Sequence, residues 1–319
     1  MIFAIGEVLI DFIAKEEWPL KDVKTFEKHA GGAPANVTVG LARLGTPSAL
    51  ISKVGADPFG EFLVEKLKEE GVNTDYIKLD REKHTGVVFV QLIGAKPEFI
   101  LYDGVAYFNL KIEDIDFSFL EKASLLHFGS VLFAREPSRS TVFEVLKKAK
   151  GRIPISYDVN IRLDLWKGRE DKMLRDIQKG LEFADIIKIG DGELEFLRKH
   201  GVEVENFDFK LLAVTKGERG SEIIHSGLRV QIPAHKVKPV DTTGAGDAFM
   251  AALLTSFWYM DKLNSLEFTK EELLKIGRFA NLVAALSTLK RGAWSIPRIE
   301  ELKEYEEAKE IFTAIKFLP

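Results

Sequence analysis

Short apolar runs alternate along the chain with longer stretches in which apolar residues recur every three or four positions. The runs have strand length and predict strands at residues 3–10, 49–54, 124–128, 153–158, 186–189 and 211–215. The periodic stretches predict helices at 35–44, 59–70, 138–150, 172–183, 191–200, 247–259 and 271–289. In the second of these, Phe59, Phe62, Leu63 and Leu67 share a face, and Gly71 closes the end. Strands alternating with helices imply βαβ units. The expected fold is therefore α/β, a doubly wound, mainly parallel sheet with helices on both faces.

Two segments break that rhythm. Residues 13–32 carry no amphipathic helix, and residues 84–108 read as two strands around Gly94–Pro97. Both predict a small antiparallel β-sheet, formed by about 13–32 and 88–108 and added to the core as a lid. No linker, low-complexity tract or repeat divides the chain, so one domain spanning 1–319 is expected. Val88, Phe89, Phe99 and Leu101 make the lid edges apolar, which suits either a homodimer contact or simple packing.

Composition narrows the partners. With 46% apolar and 29% charged residues, this is an ordinary globular composition over 319 residues. A net charge of −4 offers no basic footprint for nucleic acid, and the run Lys147-Lys148-Ala149-Lys150 reads as a solvated helix end. Cysteine is absent, which removes disulfides, thiol catalysis and Cys-type zinc sites, and the six His show no metal-ligand spacing. The acidic turn soon after Met1 argues against a signal peptide, and the most apolar stretch, 248–260, is too short to cross a bilayer. A cytoplasmic protein with a small-molecule substrate is expected, without nucleic acid or membrane. High Lys plus Glu would also suit a thermophile.

The chemistry concentrates in "DTTGAGDAFMAALL", residues 241–254. Glycines at the mouth of an apolar helix would let its unpaired N–H groups approach an anion. Asp247 would repel a phosphate, unless the carboxylate serves to take a proton from an attacking hydroxyl. The plain alternative is an Asp that favours a helix N-terminus. Neither GxxxxGK[ST] nor GxGxxG occurs here, since Phe249 stands at the third glycine position. A second glycine-rich turn, "AGGAPAN" at 30–36, precedes a helix, with "VGADPFG" at 54–60. Gly31 and Gly32 could bring backbone close to a polar ligand, with Asn36 as donor and acceptor. Asp11, at the end of the first predicted strand, could accept from sugar hydroxyls. Tight turn, helix cap and strand-end solvation are the plainer readings.

Taken together, "GGAPANVTVGLARLG…VGADPFG" and "DTTGAGDAFMAALL" resemble, in order and over nearly the whole chain, the PfkB/ribokinase family of carbohydrate kinases. "GEVLIDF", "GSVLFAREPSRS", "DVNIRLDLW" and "ADIIKIGDGELEFL" are similar to its fructokinase branch. The resemblance implies a ribokinase-like fold, Asp247 as catalytic base, and the backbone of Gly244, Ala245 and Gly246 as anion hole. It places Asp11, Gly31, Gly32, Asn36 and Tyr102 at the sugar, and Arg162 at the sugar or the phosphates. A salt bridge to Asp158 or Asp164 is the other reading for Arg162. ATP is implied at Thr215, Gly217 and Gly220, with Asn281 near the adenine or serving as a helix-packing amide. Mg²⁺ is expected with ATP, with Glu193 in a water-mediated role, and K⁺ is implied at Asp241, Thr243 and Gly292.

Two departures bear on substrate. The family's NxxE pattern falls on residues 190–193, keeping Glu193 but placing Gly190 where Asn is usual. In "FILYDG", Asp103 stands where related sugar kinases often carry Arg, which disfavours an anionic sugar and puts fructose itself in question. The expected activity is ATP-dependent phosphorylation of a sugar primary hydroxyl, fructose first. A 2-keto-3-deoxygluconate kinase, a ribokinase and a nucleoside kinase with Tyr102, Tyr107 and Phe108 as base slot are the alternatives. A non-catalytic sugar-binding regulator is the alternative from another class.

Overall fold

The computed structural model describes residues 1–93 and 96–312. Its strands are β1 (Ile2–Ile5), β2 (Leu9–Ala14), β3 (Phe26–Gly31), β4 (Ser48–Gly55), β5 (Ile77–Asp80), β6 (Val87–Ile93), β7 (Lys96–Leu101), β8 (Leu125–Gly129), β9 (Ile155–Asp158), β10 (Ile186–Gly190), β11 (Leu211–Thr215), β12 (Ser221–His225) and β13 (Leu228–Ile232). Its helices are α1 (Ala33–Arg43), α2 (Pro58–Glu69), α3 (Phe119–Lys122), α4 (Ser138–Ala149), α5 (Glu170–Phe183), α6 (Asp191–Lys199), α7 (Ala245–Tyr259), α8 (Lys270–Ser287) and α9 (Glu306–Phe312). Nine strands form one sheet in the order β13-β12-β11-β10-β9-β8-β1-β4-β5, with β12 alone running against the others. The other four form a smaller sheet, β3-β2-β6-β7.

Helices cover both faces of the large sheet, so its central strands are buried on both sides and read as nearly unbroken apolar runs. One core lies beneath α4, α5 and α6, with Leu146, Ile177 and Leu197 at its centre. A second lies beneath α1, α7, α8 and α9, and a smaller third joins α1, α2 and β4. Helix α7 packs between α1 and α8, and every residue from Asp247 to Phe257 is buried. That explains its apolar character all round. Helix starts follow local chemistry: the Asp57 side chain accepts from the N–H groups of Phe59 and Gly60 ahead of α2, and Thr269 with Glu272 forms a capping box on α8.

The structure corrects several expectations. The first predicted strand is two, because the chain leaves the large sheet after Ile5 and re-enters the small one at Leu9. Asp11 therefore lies within lid strand β2, not at the end of a core strand. The small sheet is mixed rather than antiparallel, since β2 pairs parallel with β6. β2 continues outward from β1 and β6 follows β5; β1 and β5 run parallel through β4, so both leave the core in the same direction. Of the predicted turn at Gly94–Pro97, Gly94 and Ala95 lie outside the described residues, and Pro97 belongs to β7. Beyond Leu101 the chain is not strand: Ala106–Asn109 is a 3-10 turn that buries Tyr107 and Phe108. The β12–β13 hairpin, in which buried Val230 and Ile232 alternate with exposed Arg229 and Gln231 on β13, escapes a reading tuned to βαβ units.

Leu253 is fully buried in α7. Leu253→Ala is expected to cost about 2–5 kcal/mol, seen as a lower urea midpoint at unchanged slope.

Candidate active site

Two helix N-termini meet beyond the carboxyl ends of the sheet strands, the position at which open α/β sheets bind ligands. Gly244 caps α7 with φ +78°, a left-handed conformation that a side chain resists. Its Cα also lies against Ala293, so an added Cβ would come within 2.9 Å of that residue's backbone. Asp247 follows in the first turn, and its Oδ2 accepts from Asn36 Nδ2 at 2.7 Å. The Asn36 Oδ1 in turn accepts from Trp294 Nε1 at 2.8 Å, which fixes the amide's orientation. Asn36 belongs to the first turn of α1, whose Ala33 N–H donates to the buried Glu7 carboxylate at 3.0 Å.

Burial pushes the Asp247 carboxyl up, against the Asn36 hydrogen bond and the charges of Lys188 and Arg162. Burial likewise raises Glu7 to about 7. Half-buried Asp11 is also pushed up to about 7, with Arg162 pulling against the rise. A carboxylate raised toward neutrality and aimed by a fixed amide can accept a proton from an alcohol.

The space that side chains at the glycines of the first signature would fill is taken by the chain itself. A Cβ on Gly31 would fall 2.0 Å from Asp11 Oδ2, and one on Gly32 would fall 2.5 Å from the Glu7 carbonyl oxygen. They seat Asp11 and Glu7 against the loop. The Arg162 guanidinium donates to Asn160 Oδ1 and acts electrostatically on Glu7, Asp11 and Asp247. Neither ion pair considered for it forms, since Asp158 holds Lys188 and Asp164 holds Lys167. Tyr102 is not brought to the cluster. Its ring lies edge-on to Phe89, which shares a sheet face with Phe12, whereas Asp11 alternates to the other face.

A cleft of about 880 Å³ runs from the β11 end to the mouth of α7. Thr215, Gly217, Gly220 and Asn281 line it together with Ala245 and Gly246. The Asn281 amide nitrogen donates to the carbonyls of Ile232 and Pro233, so that half of the side chain is a packing group. Glu193 stands apart from this lining. Its carboxylate accepts from the N–H groups of Gly190 at 2.8 Å and Ile161 at 2.5 Å, tying two loops together. Asp241, Thr243 and Gly292 do come together. Asp241 Oδ1 accepts from Thr243 N–H and Oδ2 from Gly292 N–H, both at 2.9 Å. Burial opposes ionisation of Asp241, but these N–H donors outweigh it and hold the carboxyl below its usual range. Among the described residues no cluster of three His, Cys, Asp or Glu could hold a metal ion, and no helix is long and apolar enough to cross a membrane.

Sequence reasoning missed Glu7, Lys188 and Trp294. The first two carried a signal: each is a lone charged residue inside an apolar run, "IFAIGEVLI" and "DIIKIG". Trp294 carried none, because only the fold brings it to Asn36.

A buried carboxylate aimed by a fixed amide at the mouth of a helix N-terminus is equipment suited to a phosphotransferase acting on an alcohol. Comparison with known proteins agrees and narrows the class. Residues 1–299 match the pfkB family carbohydrate kinase model, and the chain belongs to that family. It is 54% identical over 311 residues to a sugar kinase of Pyrococcus horikoshii, covering 98% of this chain and 97% of that one. The crystal structure of that protein with ATP superposes with a TM-score of 0.91 at 53% identity, over 98% of this chain and all of the other. Fructokinase-2 of Oryza sativa subsp. japonica is 36% identical over 304 residues, covering 92% and 89% of the two chains. A Vibrio cholerae fructokinase crystallised with fructose, ADP and calcium has a TM-score of 0.82 at 28% identity, over 95% and 98%. The fold is ribokinase-like, and the protein is a carbohydrate kinase.

Because burial raises Glu7 from its ordinary 4.5 to about 7, folding holds its proton where the unfolded chain has released it. Stability from this group is full below about pH 4.5, falls as pH rises toward 7, and is flat above. Glu7→Gln keeps an acceptor for Ala33 and removes this dependence. Its stability advantage over the unsubstituted protein, measured by urea denaturation, is expected to grow across that window by at most about 1.4 kcal/mol per pH unit.

Proposed function

We propose that this carbohydrate kinase transfers the γ-phosphoryl group of ATP to a primary hydroxyl of a neutral sugar, fructose first. The observation that carries the reading is Asp247, buried and oriented by Asn36 where the cleft meets the α7 N-terminus. In this scheme the sugar lies between the lid face bearing Asp11 and the α1 turn bearing Asn36. Asp247 takes the proton of the attacking hydroxyl, and the N–H groups of Gly244, Ala245 and Gly246 receive developing negative charge, Ala245 giving up its 3.2 Å bond to the Thr242 carbonyl. Thr215, Gly217, Gly220 and Asn281 line a space large enough for a nucleotide. Bound MgATP supplies the phosphoryl group and a divalent charge on its phosphates. K⁺ is assigned to the backbone around Asp241, Thr243 and Gly292. A potassium-bound form of the Vibrio cholerae fructokinase double mutant, with fructose and ADP, supports the fructose and cation assignments.

The preference for a neutral sugar rests on Asp103. Its carboxylate pairs with the Arg135 guanidinium at 2.7 Å. Tyr107 lies within electrostatic reach of this pair and of Glu7 and Asp11. Asp103 thus neutralises a cation near the sugar side that would otherwise attract a sugar acid. The chain acts as one domain, 1–319, whose small sheet closes over the sugar and excludes water. The lid face opposite Asp11 carries the aromatic group Phe12, Phe26 and Phe89, where Phe12 also meets Phe59 of α2, with Ile100 and Tyr102 exposed. The exposed part supports a homodimer through the lid, and we assign the protein to the cytoplasm.

ADP release with MgATP across fructose, ribose, glucose, 2-keto-3-deoxygluconate and adenosine tests the reading. Fructose is expected to give the highest kcat/KM, and a nucleoside or sugar acid preferred by the unsubstituted enzyme would overturn the specificity. Asp103→Asn releases Arg135 and is expected to improve kcat/KM for 2-keto-3-deoxygluconate about tenfold. An unchanged ratio would remove Asp103 from the specificity argument.

A further inference from the structure

Lys188 sits in the middle of β10, a strand otherwise apolar and flanked by β9 and β11. Its side chain is 7% exposed. The ammonium donates to both oxygens of Asp158, the register partner on β9, at 2.9 and 3.1 Å. An isolated buried charge is costly, and a buried pair rarely adds stability over apolar residues of the same size. Such a pair inside a parallel sheet therefore invites a functional explanation.

The explanation lies across from it. A Cβ on Gly246 would fall 2.7 Å from Lys188 Nζ and 3.6 Å from its Cε. The ammonium thus rests against the backbone of α7's first turn, one residue before Asp247. Glycine at 246 is what lets the charge approach so closely. Burial would lower the Lys188 pKa, but Asp158, Glu193 and Asp247 outweigh it and hold it above the ordinary value. Two of its three N–H donors are committed to Asp158, so the charge is fixed in place.

We infer that Lys188 is a positioning residue for phosphoryl transfer, whose fixed ammonium behind Gly246 holds the Asp247 carboxylate in its proton-accepting form. Asp158 keeps the ammonium pointed and charged, and Gly246 gives it access. The inference rests on Asp247 being the base of the reaction proposed above. Without Lys188, the burial of Asp247 is opposed by the Asn36 hydrogen bond and the more exposed Arg162, while Glu7, Asp11 and Asp158 act on it as like charges.

The test is the titration of the Asp247 carboxyl, followed by ¹³C NMR and assigned by loss of its signal in Asp247→Asn. Lys188→Met is expected to raise its midpoint by a pH unit or more, and Lys188→Met/Asp158→Asn, which leaves no unpaired buried charge, by a smaller amount. Lys188→Arg keeps the charge and is expected to leave the midpoint in place. The acid limb of kcat should follow the midpoint, so that Lys188→Met loses at least tenfold more activity at pH 6 than at pH 9. A merely structural role would lower kcat equally at both. An unmoved midpoint in both variants that remove the ammonium, Lys188→Met and Lys188→Met/Asp158→Asn, overturns the inference. Should these variants not fold, ¹⁵N NMR of the unsubstituted protein decides: a neutral Lys188 amine at pH 7 overturns it, and an ammonium supports it. The carboxyl titration needs no turnover, so absent kinase activity would defeat the proposed function while the Lys188–Asp247 coupling is still read.

Discussion

The site depends on one buried hydrogen bond, from Asn36 Nδ2 to Asp247 Oδ2, across 211 positions of sequence. It joins the first turns of α1 and α7, the elements that carry the two glycine-rich signatures. Trp294 holds the amide from behind, so the carboxylate faces a donor that cannot rotate away. The turn bearing Trp294 is itself held by Arg43 at the far end of α1, which donates to the carbonyls of Trp294 and Ile296 and pairs with Glu70. A single helix therefore supplies both the amide that aims the carboxylate and the guanidinium that fixes the amide's support. Buried polar networks of this kind specify one geometry only when every member is satisfied, and here the chain links close on each other.

That geometry explains why glycine recurs where helices begin. Gly244 answers a backbone demand, φ +78° against Ala293. Gly31 and Gly246 answer a steric one, admitting Asp11 Oδ2 and Lys188 Nζ to positions a Cβ would fill. At Gly31 and Gly246 the chain does without a side chain, and a charged group gains a place at the site. The same exchange appears in Glu7 and Asp247, whose burial raises their pKa values and works against the folded state at neutral pH. Stability yields to chemistry at these positions.

Much of this was legible in the sequence. Periodicity located the βαβ frame because parallel strands covered on both faces leave unbroken apolar runs, and the two signatures located α1, α7 and Asp247. The lost details share a cause. Nothing in "IFAIGEVLIDF" shows that the chain changes sheets after Ile5, since both halves are equally buried. The parallel pairing of β2 with β6 follows from the direction of β1 and β5, a tertiary property. Tyr102 looked like a sugar contact by its place in "FILYDG", but strand alternation turns its ring to Phe89. The resemblance gives Glu193 a water-mediated role, but only the fold shows that its carboxylate also accepts from two backbone N–H groups. Lys188 was visible as a lone charge in an apolar strand, and only the fold gives that charge a neighbour.

The central claim is that Asp247 takes the proton of the attacking hydroxyl. The most direct measurement is kcat of Asp247→Asn with MgATP and fructose, beside calorimetric binding of both ligands. The account predicts a fall in kcat on the order of 10²-fold or more, with binding of sugar and nucleotide changed by only a few-fold. Turnover at the unsubstituted rate would contradict it.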